Sequence, residues 1–435
     1  MPDMPDTEKP GPSGWLSGSG VIAVAMGVMN VTTYAFTILA ARLLGPVEYG
    51  ALAAVMGLLL VLNVLSLGLQ ATGARRVAAA PGDVAQIEQE VMRSTYLCAA
   101  GLGLASLLAT PLVSAVLNLD SWLVAALIAV TVVPLTVMGG QAGLLQGERR
   151  WQPLAGIYLA VGVGRLTFGA FMLLLQPGTL GALTGVAVGA LVPMAVGWWA
   201  LRRPARRSGH RSTSPVPKPL WGTGGVLRET LTNSHALLAF FALSNADVVI
   251  ARGVLDEQQA GLYAGGLILT KAVLFLPQFV VVIVFPSMSG TESARRLNVL
   301  ALGAVLAIGV STVLGTAVLS GLAVTFVGGP EYAGLQDRLW IFAGLGTLLA
   351  MLQLMVYNVV ARQRQRAVFV IWAGLLVLLA LAPLTESVSQ LVLTVLVVDT
   401  ALFLTLLVRA GVRSRPEPGA GTALADVEGR VVGPQ

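Results

Sequence analysis

The sequence predicts an all-α integral membrane protein with twelve transmembrane helices in two six-helix bundles. Three observations carry that expectation. Of the 435 residues, 56 % are hydrophobic and 11 % charged, against ~45–50 % and ~25 % in soluble domains. Twelve apolar stretches can be read, each about long enough to cross ~30 Å of hydrocarbon at ~1.5 Å per residue. With the N-terminus in the cytoplasm, 22 of the 27 Lys and Arg residues fall on that side and three (Arg42, Arg252, Arg338) on the other. Cytoplasmic loops collect Lys and Arg and translocated loops avoid them, so both termini are expected inside. The remaining two, Arg165 and Lys271, fall within spans.

Residues 1–17 read as a cytoplasmic tail. Asp3, Asp6 and Glu8 against Lys9 are the wrong flank for a secretory signal, and the apolar run that follows is too long for one. The first six spans are placed at 18–41, 51–70, 94–117, 122–145, 154–175 and 179–201, which makes 18–201 an N-lobe. Residues 202–225, from RRPARRSGHR through Pro215, Pro217 and Pro219, carry too much charge and proline to pack. They form a basic linker whose plain role is topology; the alternative is docking on anionic lipids or on a cytoplasmic glycosyltransferase. The C-lobe, 226–408, holds spans at 226–250, 260–285, 297–327, 339–360, 367–383 and 388–408. The small, polar tail 409–435 is expected to be disordered.

The lobes repeat. Ala41-Arg42 leaves the first span as Ala251-Arg252 leaves the seventh, and basic segments close the fourth (GLLQGERR) and tenth (NVVARQRQ). Six spans is an even number, so the repeat is parallel. Gly181, Gly185 and Gly189 share one face of the sixth span, where small residues let helices approach closely. Pro111, Pro134, Pro193 and Pro277 should bend their spans, with Pro277, close to Lys271, as the candidate hinge.

Composition excludes several functions. A lone Cys98, two histidines and no clustered carboxylates leave nothing for a disulfide or a zinc centre. The glycine pairs Gly162/Gly164 and Gly344/Gly346 lie inside apolar helices, with no preceding strand or following Lys to make a nucleotide site. No nucleic-acid-binding module is visible, and no cofactor or metal is called for.

The buried ionisable residues are where function is sought, because a charge at the bilayer centre costs ~2.5–3.5 kcal/mol on insertion scales. Arg165 has no acidic residue at comparable depth in the N-lobe. Two readings stay open: a fixed cation that binds a phosphate or carboxylate of the substrate, or an arginine bonded to carbonyls or to an acid across the cleft. Lys271 and Asp399 lie mid-span in the C-lobe. Either they form an ion pair, or Lys271 joins Arg165 around an anionic head group while Asp399 tunes it or carries a coupling proton. Glu229, Asn233, Ser244 and Asp247 fall on one face of the seventh span, and the stripe implies a wet cavity there. His235 lies off that face, as a proton sensor or a packing residue. Asn30, Thr33, Tyr34 and Thr37 form a matching stripe on the first span, either lining the cleft or bonding helices together.

The stretch ARLLGPVEYGALAAVMGLLLVLNVLSLGLQATGARRVAA (41–79) resembles polysaccharide-export flippases. In particular Arg42-Leu43-Leu44-Gly45-Pro46 with Glu48-Tyr49-Gly50 is similar to the Wzx-like O-antigen translocators of the multidrug/oligosaccharidyl-lipid/polysaccharide (MOP) superfamily. Asp247 with Arg252, then Ala260-Gly261-Leu262-Tyr263-Ala264 and Phe285-Pro286, resemble the second-half counterpart. The resemblance implies a MATE-like V of two six-helix lobes, moving an undecaprenyl-diphosphate-linked glycan outward for lipopolysaccharide or related surface polysaccharide. A central cationic cavity would hold the diphosphate.

Two departures stand out. The peptidoglycan-precursor branch has fourteen spans and arginines near the first two. Cation-coupled drug exporters often carry a carboxylate in the first bundle, and none lies within the N-lobe spans. The expected partners are therefore a polyprenyl-diphosphate glycan, the bilayer with its anionic lipids, and polysaccharide-assembly enzymes. A bacterial cytoplasmic membrane is the expected location, since Arg outnumbers Lys and Ala and Gly are heavy. The alternatives are a cation-coupled multidrug or small-solute antiporter on the same fold, a membrane glycosyltransferase or polymerase, and an assembly scaffold. An enzyme would need a positioned acid, base or nucleophile, and none stands out.

Overall fold

The computed structural model describes residues 19–202, 222–284, 291–361 and 365–412. The N-terminal tail, most of the basic linker, the Phe285-Pro286 motif and the C-terminal tail lie outside the described residues, as do the side chains of Asn233 and Pro277. Every element among the described residues is helical, and nine helical stretches are long and apolar enough to cross a membrane.

Helix α1 runs Ser19–Leu62, with a break at Gly45 (φ 68°, ψ 178°). A positive φ is open to glycine at no steric cost, and Pro46, with its fixed φ, restarts the helix beyond it. The expected loop between the first two spans is therefore a turn about one residue. After a second break at Asn63 the chain continues as α2 (Val64–Ala79). Arg75 and Arg76, expected in an inner loop, sit in the last turns of α2 instead. α3 (Val84–Leu108) also starts earlier than its apolar run, and Pro111 near the start of α4 (Thr110–Val116) accounts for the break between them. α5 (Trp122–Gly147), α6 (Trp151–Leu175) and α7 (Thr179–Arg202) complete the first half, and Pro134 and Pro193 sit inside α5 and α7 without breaking them.

The second half holds α8 (Thr223–Val254), α9 (Glu257–Val284), α10 (Thr291–Val318) and α11 (Ser320–Val327). A 3₁₀ segment (Pro330–Arg338) leads into α12 (Leu339–Ala361), α13 (Gln365–Leu381) and α14 (Val388–Val412). Large apolar side chains lie on the outside of both halves: Leu108 is 73 % exposed, Leu174 70 %, Val318 80 % and Val397 66 %. Apolar surface on that scale requires lipid rather than water around the chain. This is a multi-pass membrane protein.

Glycine sets how closely the helices approach. A Cβ on Gly185 would lie 2.6 Å from Gly169 Cα, and one on Gly189 2.7 Å from the Gly164 carbonyl, so the α7 glycine face packs on α6. The opposite contact of α6 is with α1, where a Cβ on Gly162 would lie 2.7 Å from Met29 Cα and one on Gly169 2.5 Å from the Phe36 ring. The halves meet along α1 and α9: a Cβ on Gly50 would lie 2.8 Å from Gly261 Cα, while Gly261 faces the Pro46 backbone. Gly261→Ala should therefore destabilise the purified protein by ~1–3 kcal/mol, the usual range for overpacking. Gly27→Ala, with nothing within 4 Å of its new methyl, should not. Thermal unfolding of both variants in detergent checks the pair; equal stability would remove the crossing as a constraint.

Candidate functional site

Arg165 occupies the middle of α6, on the same face as Gly162 and Gly169, since positions i, i+3 and i+7 align along a helix. The absence of Cβ atoms on either side of Arg165 lets α1 close on α6 there. The guanidinium is thereby brought against the hydroxyl face of α1. Thr33, Tyr34 and Thr37 of α1, Arg165 of α6, Val248 of α8 and Lys271 of α9 all line one cavity of about 150 Å³. Phe36, Leu52, Met56, Leu60 and Leu267 supply its apolar wall. No carboxylate lines it among the described residues.

The two cations are held differently. Arg165 has no hydrogen-bond or ion-pair partner among the described residues, so neither an acid across the cleft nor a carbonyl satisfies it. Lys271 Nζ donates to Asn245 Oδ1 at 2.5 Å. The expected pair between Lys271 and Asp399 is not formed: no ion pair joins them among the described residues. Asp399 is 1 % exposed on α14, and its Oδ1 accepts no hydrogen bond. Asp247, 2 % exposed, accepts from the Val248 N–H (2.8 Å) and from Tyr263 Oη (3.0 Å). The lysine instead bonds a neutral amide.

This cavity takes only Val248 from α8 among the described residues, and none of the polar stripe expected there. Phe240 is 2 % exposed within that stripe, Glu229 pairs with α2 at one end and Asp247 bonds α9 at the other. The cavity opens instead against Val248, on the side facing α1 and α9. His235 stands apart from the cavity: its Nε2 accepts from Trp372 Nε1 at 3.0 Å, and it packs on Trp372 and Phe369 of α13. The packing alternative for His235 is the one the geometry favours. On α1, Thr33, Tyr34 and Thr37 face the cavity, with Tyr34 Oη donating to the Ile268 carbonyl of α9 at 2.6 Å. Asn30 is half-buried, is engaged elsewhere and lines no part of the cavity. Asn233 has no described side chain.

Asn245 was missed by a sequence reading that followed charges and a single 3.6-residue face. Its signal was an amide two residues from Asp247 in the same apolar span.

Side-chain contacts join the two halves at two places. At one end Arg75 Nε and Arg76 Nε donate to the two oxygens of Glu229, each at 3.0 Å, and Arg76 Nη1 lies 3.7 Å from Glu90. The Gly222 N–H donates to Glu90 at 3.2 Å, and Thr230 bonds Thr72 at 3.3 Å. At the other end Arg252 donates to the carbonyls of Leu117 and Asn118, each at 3.0 Å. Arg42 Nη2 reaches the Thr325 carbonyl at 2.7 Å, and Tyr332 Oη the Ala41 carbonyl at 3.3 Å. Glu48 accepts from the Thr179 N–H at 2.8 Å, capping α7 where a helix N-terminus favours an anion. No group of His, Cys, Asp and Glu able to hold a metal occurs among the described residues.

A family model described as "Polysaccharide biosynthesis protein" matches residues 15–292. The fold is similar to that of an inward-facing multidrug resistance MATE family transporter of the MOP superfamily, at TM-score 0.67 and 12 % identity, covering 89 % of this chain and 94 % of the other. It is also similar to the lipid II flippase MurJ in an inward closed conformation, at TM-score 0.69 and 11 % identity, covering 91 % and 88 %. A eukaryotic MATE transporter, AtDTX14, matches at TM-score 0.57 and 14 % identity over 92 % and 97 %. No curated protein sequence matches the chain.

Two outcomes follow from the geometry. Glu229→Gln leaves Arg76, 4 % exposed, short of its partner, and breaking a buried pair typically costs ~3–5 kcal/mol. The end bearing Arg75 and Arg76 should then open more often. A cysteine placed at Thr37 in a Cys98→Ala background should react several-fold faster with a water-soluble maleimide; an unchanged rate would show that the ion pairs do not hold that end shut. Because Lys271 and Asp399 do not pair, Lys271→Met and Asp399→Asn should be additive in stability to within ~0.5 kcal/mol, as read from unfolding in mixed micelles.

Proposed function

This chain belongs to the polysaccharide biosynthesis protein family, and from that premise we propose that it flips a polyprenyl-diphosphate-linked oligosaccharide across a bacterial cytoplasmic membrane. The observation that carries the reading is a cavity with two cations and no carboxylate. Each buried charge is costly in hydrocarbon, and a diphosphate would compensate both at once. The guanidinium fork of Arg165 suits phosphate oxygens, and the Lys271 ammonium acts as a point charge. Thr33 and Thr37 add hydroxyl donors, while Phe36, Leu52, Met56 and Leu60 offer apolar contact to the first prenyl units.

A volume of about 150 Å³ is well below the ~300–1,000 Å³ of a drug-sized site. An oligosaccharide passes only if the halves part, first at one end and then at the other. In this reading the chain makes twelve passes as two lobes, 18–201 and 226–408, with both termini cytoplasmic, and it rocks by alternating access. In this reading it performs no covalent chemistry. Assembly enzymes for O-antigen or a related polysaccharide would supply its substrate on one side and use it on the other.

A second reading, cation-coupled antiport of drugs or small solutes on the same fold, draws on one observation. Asp399 is buried with an oxygen that accepts no hydrogen bond, and Asp247 is buried beside Tyr263. In a flippase these acids would serve coupling.

Native mass spectrometry of the purified protein, wild type beside Arg165→Ala, tests the substrate. A polyprenyl-diphosphate glycan should accompany the wild type and be lost, by at least tenfold in relative signal, from the variant. Bulk phospholipid alone on both would sink the reading and favour antiport.

A further inference from the structure

Lys271 has three potential acceptors on neighbouring helices: Asn245 and Asp247 of α8 and Asp399 of α14. It bonds the neutral one. Asp247 accepts from the Val248 N–H and from Tyr263 Oη instead. Asn245 is itself held in one orientation. Its Nδ2 donates to the Phe241 carbonyl at 2.9 Å, which turns Oδ1 toward the lysine and settles the amide assignment. A Cβ on Gly57 of α1 would lie 3.6 Å from Asn245 Cβ and 2.9 Å from Val248 Cγ1. The amide is thus wedged between α1, α8 and α9, 3 % exposed.

A neutral acceptor aims an ammonium without cancelling its charge. A carboxylate of the same size at 245 would also aim it, but would leave the cavity one net positive charge rather than two. Lys271 carries three donors; one is given to Asn245, and the rest remain for whatever enters the cavity.

We propose that Asn245 is a positioning residue for anion recognition: it points Lys271 into the cavity and keeps its full charge available beside Arg165. The proposal rests on the diphosphate reading above and adds a specificity determinant to it. The site's preference for a doubly anionic head group depends on residue 245 being an uncharged acceptor, even though residue 245 does not line the cavity.

The test is a double-mutant cycle on the full-length protein in lipid nanodiscs, reading farnesyl diphosphate binding by microscale thermophoresis. Lys271→Met should weaken binding at least tenfold. Asn245→Asp should weaken it by a similar factor, and Asn245→Leu, which removes the acceptor without adding charge, should weaken binding in the wild type but leave Lys271→Met no weaker, because the amide acts only through the lysine. Asn245→Ser, which keeps a neutral acceptor, should remain within about threefold of wild type. It also serves as the folding control.

Wild-type affinity in Asn245→Asp would overturn the proposal while leaving the site reading intact. So would an equal loss from Asn245→Leu in the Lys271→Met background, or a loss in Asn245→Ser as large as in Asn245→Asp, since each points to a purely structural amide. Unchanged binding in Lys271→Met would overturn the diphosphate site itself, and the role of Asn245 with it.

Discussion

A guanidinium held mid-span with no anion beside it is the constraint around which the rest of this molecule is arranged. Arg165 could not lie against lipid at acceptable cost, so α6 must present it to a polar space inside the protein. Gly162 and Gly169, on the same helical face, let α1 approach closely enough to supply that space from Thr33, Tyr34 and Thr37. On the far wall α9 brings a second cation, and the nearest acids are withheld: Asp247 is bonded to Tyr263, and Asp399 is buried on α14 without an ion pair to Lys271. The result is a cavity whose polarity is all of one sign.

The family-like motif on α1 acquires a mechanical meaning from the same arrangement. Gly45 turns the chain with a positive φ, Pro46 restarts the helix, and Glu48 caps α7. Tyr49 is buried at the cavity wall, and Gly50 permits contact with Gly261. Pro46 and Gly50 thus fix the crossing between α1 and α9 through Gly261, Glu48 ties the turn to α7, and of Gly45-Pro46-x-Glu48-Tyr49-Gly50 only Tyr49 touches the cavity. A motif of this kind identifies an architecture and leaves the cargo unspecified.

The two places where the halves join use different chemistry. One end uses charge, with Arg75 and Arg76 on Glu229 and Glu90 as a third member; Arg75 is exposed, and water screens its share of the attraction. The other end uses arginine donors on backbone carbonyls and the close crossing of glycines. Carbonyl contacts of that kind depend on the relative position of whole helices. The charged end can exchange partners with water one side chain at a time.

Much of the architecture was legible in the sequence, because hydrocarbon imposes simple rules. Long apolar runs, the one-sided placement of Lys and Arg, and the glycine face of 181–189 follow from helix geometry and transfer cost, and helices with their glycine contacts stand where those rules put them. Arg165 and Lys271 were legible as buried charges for the same reason. What the sequence could not reveal was partnership. Whether Lys271 meets Asp399, Asp247 or Asn245 depends on the rotation of α8, α9 and α14 about their axes, and a shift of one residue turns a side chain by about 100°. The surroundings of the α8 stripe and of the histidine beside it were open for that reason: periodicity defines a face but not what it faces. Only the tertiary structure decided that Glu229 pairs with Arg75 and Arg76, that His235 belongs to an aromatic contact, and that the lysine bonds a neutral amide rather than an acid.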